Sequence, residues 1–185
     1  MDIFEKCNQR YIQDEVRELG IYPYFHALES KQDTEVIMEG KRRIMLGSNN
    51  YLGLTTNPAV IQAGVDAYKA LGSGCSGSRF LNGTLKLHLE LEEELAKFLR
   101  KDAIVTFSTG FQSNLGIISA IVGMHDYVIM DRENHASLYD GCRLSYGKML
   151  RYRHNDMSDL EKKLQKVPDS CGCLIVTDGV FSMGG

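Results

Sequence analysis

Residues 127–144 read YVIMDRENHASLYDGCRL, and the fold follows from where this stretch changes its period. Tyr127 to Met130 is a short β-rich apolar run of the kind found in a strand buried on both faces. A polar turn follows, and Ala136 to about Leu144 returns at helical spacing. The same alternation extends outward in both directions. Before it, Ala103 to Phe107 reads as a strand and Gly110 to about Val122 as a helix. After it come a short strand from Met149 to Tyr152, a helix whose Ser158-x-x-Glu161 fits a capping box, and a last strand from Leu174 to Thr177. Strands alternating with helices imply an α/β fold with a mainly parallel sheet.

The N-terminal third is different. Residues 2–19 read as one amphipathic helix, with Phe4, Tyr11, Ile12, Val16 and Leu19 at helical spacing and Gly20 as the stop. Thr34 to Met38 and Arg43 to Leu46 form a predicted hairpin around Gly40-Lys41. Asn57-Pro58 opens a helix to about Leu71, and Thr84 is the predicted cap of a long helix ending near Arg100. The expected organisation is therefore a helix and hairpin segment, 1–57, followed by an incomplete large domain, 58–185. The chain stops at Gly184-Gly185 straight after a strand-like run, which makes truncation the expectation.

Bulk properties exclude several classes. With a net charge of −3, 43% hydrophobic and 24% charged residues, there is no basic footprint for nucleic acid. The uncharged run from Leu115 to Met124 is too short to span a bilayer. The charged start, Asp2 to Lys6, lacks the apolar core of a signal peptide. A cytoplasmic protein without a transmembrane segment is expected. The five cysteines give no disulfide framework, and Cys171-Gly172-Cys173 has no second pair at zinc-ligand spacing.

In open parallel sheets, ligands bind at the carboxyl ends of the strands. There the sequence places Ser108-Thr109-Gly110-Phe111 entering a helix, where backbone N–H groups and the positive helix end suit an anion. The next strand is followed by Asp131 and Asn134-His135-Ala136-Ser137, and the last by Asp178-Gly179 and Ser182. An imidazole at His135 can stack on an aromatic ligand or move protons, and taken alone it is first a cap of the following helix. Three successive strand ends with polar groups point to a site for a phosphate-bearing aromatic cofactor. Two decoys fall away. Gly72-Ser-Gly-Cys-Ser-Gly77 has the dinucleotide-fingerprint spacing, but it follows a helix and leads into a non-helical stretch. It reads instead as a flexible loop, with Arg79 as a candidate anion contact. The Glu92-Glu93-Glu94 run is a solvated helix face rather than a metal site, and no metal is expected.

Taken together, six motifs stand in the order found in one family. They are Ser48-Asn49-Asn50-Tyr51-Leu52-Gly53-Leu54, Gly72-Ser73-Gly74 with Gly77-Ser78-Arg79, Thr109-Gly110-Phe111 with Asn114, Asn134-His135-Ala136-Ser137, His154-Asn155, and Thr177 to Met183. The chain resembles the α-oxoamine synthases, pyridoxal 5′-phosphate (PLP) enzymes of fold type I. The stretches Arg79 to Thr84, Phe107 to Gly110, Ser137 to Cys142 and Arg151 to Asn155 are most similar to the bacterial branch that acylates serine.

The resemblance implies decarboxylative condensation of an amino acid, here serine, with a long-chain acyl-CoA. It assigns Ser108, Thr109, Gly110, Phe111, Asp178 and Ser182 to cofactor binding, with Gly110 and Phe111 at the phosphate and Ser182 at the phenolic oxygen. His135 would stack on the pyridine ring and orient the substrate carboxylate as the catalytic residue. Asn49, Tyr51 and Arg79 would face the substrates, with the glycine loop crossing a homodimer interface. The family's Schiff-base lysine and its ring-nitrogen aspartate match nothing in residues 1–185, so this stretch alone is expected to be inactive. Glycine with acetyl-CoA, alanine with a pimeloyl thioester, an aminotransferase, and a non-catalytic interaction module remain as alternatives.

Overall fold

The computed structural model describes residues 2–185. The chain separates into two compact units, Met1–Ser76 and Gly77–Gly185, so the helix after Asn57 goes with the first unit.

In the first unit the expected single helix over 2–19 is broken. A 3-10 turn, Glu5–Asn8, is separated from α1 (Ile12–Glu18) by extended backbone at Gln9 and Tyr11. The Asp14 carboxylate accepts the Tyr11 N–H at 2.9 Å, and this bond starts a new helix three residues upstream of Asp14. The hairpin forms between β1 (Glu35–Met38) and β2 (Lys41–Ile44), with Met38 paired to Lys41. Its second strand starts two residues earlier than predicted because Glu39 and Gly40 both take positive φ, 49° and 70°. That is the requirement of a two-residue type I′ turn. α2 (Pro58–Leu71) begins as predicted, with the Asn57 side chain accepting from Ala59 and Val60 and Pro58 in the first turn. It stops at Gly72, where φ is +83°.

The second unit opens with α3 (Lys86–Leu99), capped by Leu85 rather than Thr84. The Thr84 hydroxyl donates instead to the Arg79 carbonyl at 2.6 Å, while His88 Nδ1 accepts the Leu85 N–H. Residues 103–107 are not a strand, since no described residue pairs with them in a ladder. α4 (Gly110–Ile121), β3 (Tyr127–Asp131), α5 (Ala136–Leu144), β4 (Lys148–Tyr152), α6 (Met157–Leu164) and β5 (Cys173–Val176) follow. The cap of α6 is Asp156, whose carboxylate accepts from Asp159; it lies two residues before the predicted Ser158 box.

The three strands form a parallel sheet in the order β4-β3-β5, with Tyr127 opposite both Lys148 and Cys173. β3 is central, and its Val128, Ile129 and Met130 are fully buried, as its unbroken apolar run requires. Ile118 and Val122 of α4 and its end, Leu138 and Cys142 of α5, and Val128, Met130 and Val176 of the sheet form one core. α4 and α5 touch closely: a Cβ on Gly141 would lie 2.8 Å from the Asn114 carbonyl oxygen. The sheet and this helix pair therefore fix where the carboxyl ends of β3 and β5 and the start of α4 come to lie.

Candidate active site at the carboxyl edge of the sheet

β3 ends on Asp131, which is 1% exposed and receives three donors. The Glu133 N–H donates at 2.8 Å, the Asn155 N–H at 3.1 Å, and His154 Nδ1 lies at 3.1 Å. Burial pushes this carboxyl upward, but the N–H donors of Glu133 and Asn155, with His154, outweigh it and hold it below the ordinary carboxylate value. Asn155 makes its bond from the left-handed region, φ 51°. The His154 ring meets Phe181 edge-on, centroids 4.5 Å apart, so the turns after β3, β4 and β5 are tied together.

A second knot holds His135. Asn134, 6% exposed, donates through Nδ2 to the Val176 carbonyl at 2.9 Å and accepts the Asp178 N–H at 3.0 Å. Asp178 Oδ2 in turn accepts the His135 N–H at 2.6 Å. The His135 side chain caps α5, accepting from the Ser137 N–H, and its ring stands edge-on to Phe111 with centroids 6.4 Å apart. Phe111 belongs to the first turn of α4, which Thr109 caps by accepting from Gln112 at 3.1 Å. The amides of Gly110 and Phe111 have no intrahelical acceptor in this first turn. A Cβ added at Gly110 would meet nothing within 4 Å. An anion-seeking helix start and an imidazole are thus brought to one sheet edge.

Of the predicted site residues, Thr109, Gly110, Phe111, His135 and Asp178 converge here. Ser108 is exposed just before the Thr109 cap, and Ser182 is exposed on the turn after β5, next to Phe181. Asn49 and Tyr51 lie in the first unit and line an open hollow of about 460 Å³ with Gln32, Asn50 and Thr55. Arg79 is engaged within the second unit. Its guanidinium pairs with Glu92, at 3.0 Å for Nη2 to Oε2, and reaches the Thr106 hydroxyl. Asn134, Asp131, Asn114 and Ser137 stand inside or beside the quoted motifs, and no local pattern signals the hydrogen bonds by which they hold this edge together.

The Arg79 guanidinium, then the Thr106 hydroxyl and N–H, hold the Glu92 carboxyl down from 4.5 to about 2. A depressed folded-state value contributes stability that is complete above the unfolded value and is lost as pH falls through the folded one. The stability gap between the full-length protein and its Glu92→Gln variant is therefore expected to be widest near neutral pH. It should close between pH 4.5 and about 2. Denaturant midpoints along a pH series check this, and a gap that does not depend on pH would contradict it.

Residues 41–185 match the family described as aminotransferase class I and II. The chain belongs to the class I and II aminotransferase family. Within it, the chain is 52% identical over 181 residues to a serine palmitoyltransferase of Sphingobacterium spiritivorum, covering 98% of this chain and 45% of that one. It is 45% identical over 171 residues to an 8-amino-7-oxononanoate synthase of Geobacter sulfurreducens, covering 92% and 44%. A solved serine palmitoyltransferase variant from S. paucimobilis with bound PLP and myriocin superposes with a TM-score of 0.92 at 39% identity, covering 99% of this chain and 47% of that one. The chain thus has the PLP-dependent aminotransferase fold and spans less than half the length of these relatives. Among the described residues, no helix is long and apolar enough to cross a membrane. No cluster of His, Cys, Asp or Glu among them could hold a metal ion.

Proposed function

We propose that the full-length protein is a PLP-dependent acyltransferase that condenses L-serine with a long-chain acyl-CoA to give 3-ketodihydrosphingosine, CoA and carbon dioxide. The observation that carries this reading is the convergence of the first turn of α4 with His135 at the carboxyl edge of the sheet, within a chain similar to serine palmitoyltransferases.

The donor set fits the cofactor. Open space above Gly110 and the amides of Gly110 and Phe111, beside Ser108 and the Thr109 cap, suit a phosphate. Ser182 supplies a hydroxyl for the phenolic oxygen. PLP, when bound, supplies an electron sink for the amino acid's α-carbon. The protein's part is position. His135 offers a ring face to the pyridine and a ring nitrogen to the substrate carboxylate. Asp178 and Asn134 fix the His135 backbone, so the ring approaches from a rigid base. The resemblance assigns Asn49, Tyr51 and Arg79 to the substrates, and within its own unit Arg79 anchors its loop to Glu92.

In the net reaction, a bond forms between the serine α-carbon and the acyl carbonyl carbon. The thioester C–S bond breaks, and the bond to the carboxylate carbon breaks to release carbon dioxide. Support for serine over alanine comes from the greater identity to the serine palmitoyltransferase of S. spiritivorum than to the 8-amino-7-oxononanoate synthase of G. sulfurreducens. The reading includes a cytoplasmic homodimer, as the resemblance to the α-oxoamine synthases implies.

The test is CoA release by the PLP-loaded full-length protein from palmitoyl-CoA, with serine, glycine or alanine added in turn, together with its sedimentation. The expected result is release with serine at least about tenfold faster, corresponding to a 1.4 kcal/mol preference, from a dimer. A preference for alanine with a shorter thioester would move the assignment to the oxononanoate branch. An active monomer would remove the dimer.

A further inference from the structure

We infer that Ser137, its hydroxyl held by Asn114, is a positioning residue that sets the tautomer of His135, keeping Nδ1 as a hydrogen-bond acceptor and the ring proton on Nε2. The inference rests on the proposed function only for what Nε2–H meets.

The geometry is directional. The Ser137 backbone N–H points at His135 Nδ1 at 3.2 Å. A backbone N–H can only donate, so this contact favours the form in which Nδ1 presents its lone pair. Ser137 Oγ lies 2.8 Å from the same nitrogen, and Asn114 Nδ2 donates to Ser137 Oγ at 2.8 Å. Asn114 takes one lone pair of that oxygen, and opposite a nitrogen whose lone pair the backbone N–H already favours, the hydroxyl's hydrogen is what fits between Oγ and Nδ1. Two donors, one from the backbone and one from a side chain, thus converge on one ring nitrogen. A histidine that served only as a helix cap needs the first of these alone.

The relay is built rigidly. Ser137 is 1% exposed, and Asn114 projects from α4 where that helix touches α5 at Gly141. No described residue meets Nε2, which is left as a donor on an exposed ring. In the proposed reaction, such a donor suits the carboxylate oxygen of the bound amino acid, and the wrong tautomer would turn a lone pair toward that anion. Ser137 and Asn114 act through His135, so neither needs to touch substrate.

The test is nitrogen-15 NMR of the full-length protein labelled at histidine, with and without PLP. The wild-type His135 ring is expected to show an unprotonated Nδ1 and a protonated Nε2. Asn114→Asp replaces the amide donor with a carboxylate that takes the Ser137 hydroxyl hydrogen, so Oγ then offers its lone pair to Nδ1. The expected result is a shift of the ring toward the Nδ1–H form, with a KM for the amino acid about tenfold higher, the worth of one charge-assisted hydrogen bond, and a smaller change in kcat. Asn114→Ala leaves the hydroxyl free to donate and should keep the wild-type tautomer. An Nε2–H signal in the wild type supports the inference whether or not serine is the substrate. An Nδ1–H signal overturns it even in a fully active enzyme, as does an Asn114→Asp variant whose ring shifts do not move. The wild-type measurement stands alone if a variant does not fold.

Discussion

Replacing His135 by alanine in the full-length protein is expected to lower kcat/KM for the amino acid by about 10²- to 10⁴-fold, the range for losing a well-placed polar group at a reaction centre. The ring does two separable things. It caps α5 through Nδ1, a contribution of about 1 kcal/mol, and it presents Nε2 and a ring face at the carboxyl edge. His135→Asn separates them, because asparagine is a good cap but has no imidazole. That variant should unfold near the wild-type midpoint and yet be as impaired as His135→Ala. Steady-state kinetics alongside thermal unfolding measure both. A variant retaining activity within threefold would reduce His135 to a helix cap.

The largest expected effect on stability comes from Asp131. Asp131→Ala removes the acceptor for the N–H groups of Glu133 and Asn155 and for His154 Nδ1. With about 1 kcal/mol or more for each donor left stranded, the expected loss is about 3 kcal/mol. Asp131→Asn should fall between, since its amide sets an NH₂ group against a donor that needs an acceptor. The same change frees His154 from its place against Phe181 and loosens the turn that carries Ser182. Chemical denaturation of the full-length protein gives the number, and a loss below about 1 kcal/mol would mean that water replaces the lost acceptor.

The alternating part of the chain was legible because its elements are specified locally. The unbroken apolar run of β3, the Asn57-Pro58 start of α2, and the polar residues following β3 and β5 all signal their positions without tertiary knowledge. The errors arise where one acceptor outcompetes another. Asp14 starts α1 late, Asp156 caps α6 in place of Ser158, and the Thr84 hydroxyl turns to Arg79 instead of α3. Residues 103–107 have a strand's composition, but a strand also needs a neighbour. At the site, residue type pointed to His135 and Asp178 individually. The bond between them spans 43 residues of sequence and depends on the register of β3 against β5, which no local pattern encodes. The pairing of Arg79 with Glu92, 13 residues away, is likewise unmarked in any local pattern.

Absorption titration of the PLP-loaded full-length protein with serine, glycine and alanine tests whether the edge formed by α4 and the ends of β3 and β5 holds PLP and receives serine. The expected result is a cofactor band that shifts at the lowest concentration with serine, with no comparable shift for His135→Asn. A protein that takes up no PLP, or a shift equally tight with all three amino acids and insensitive to His135, would contradict it.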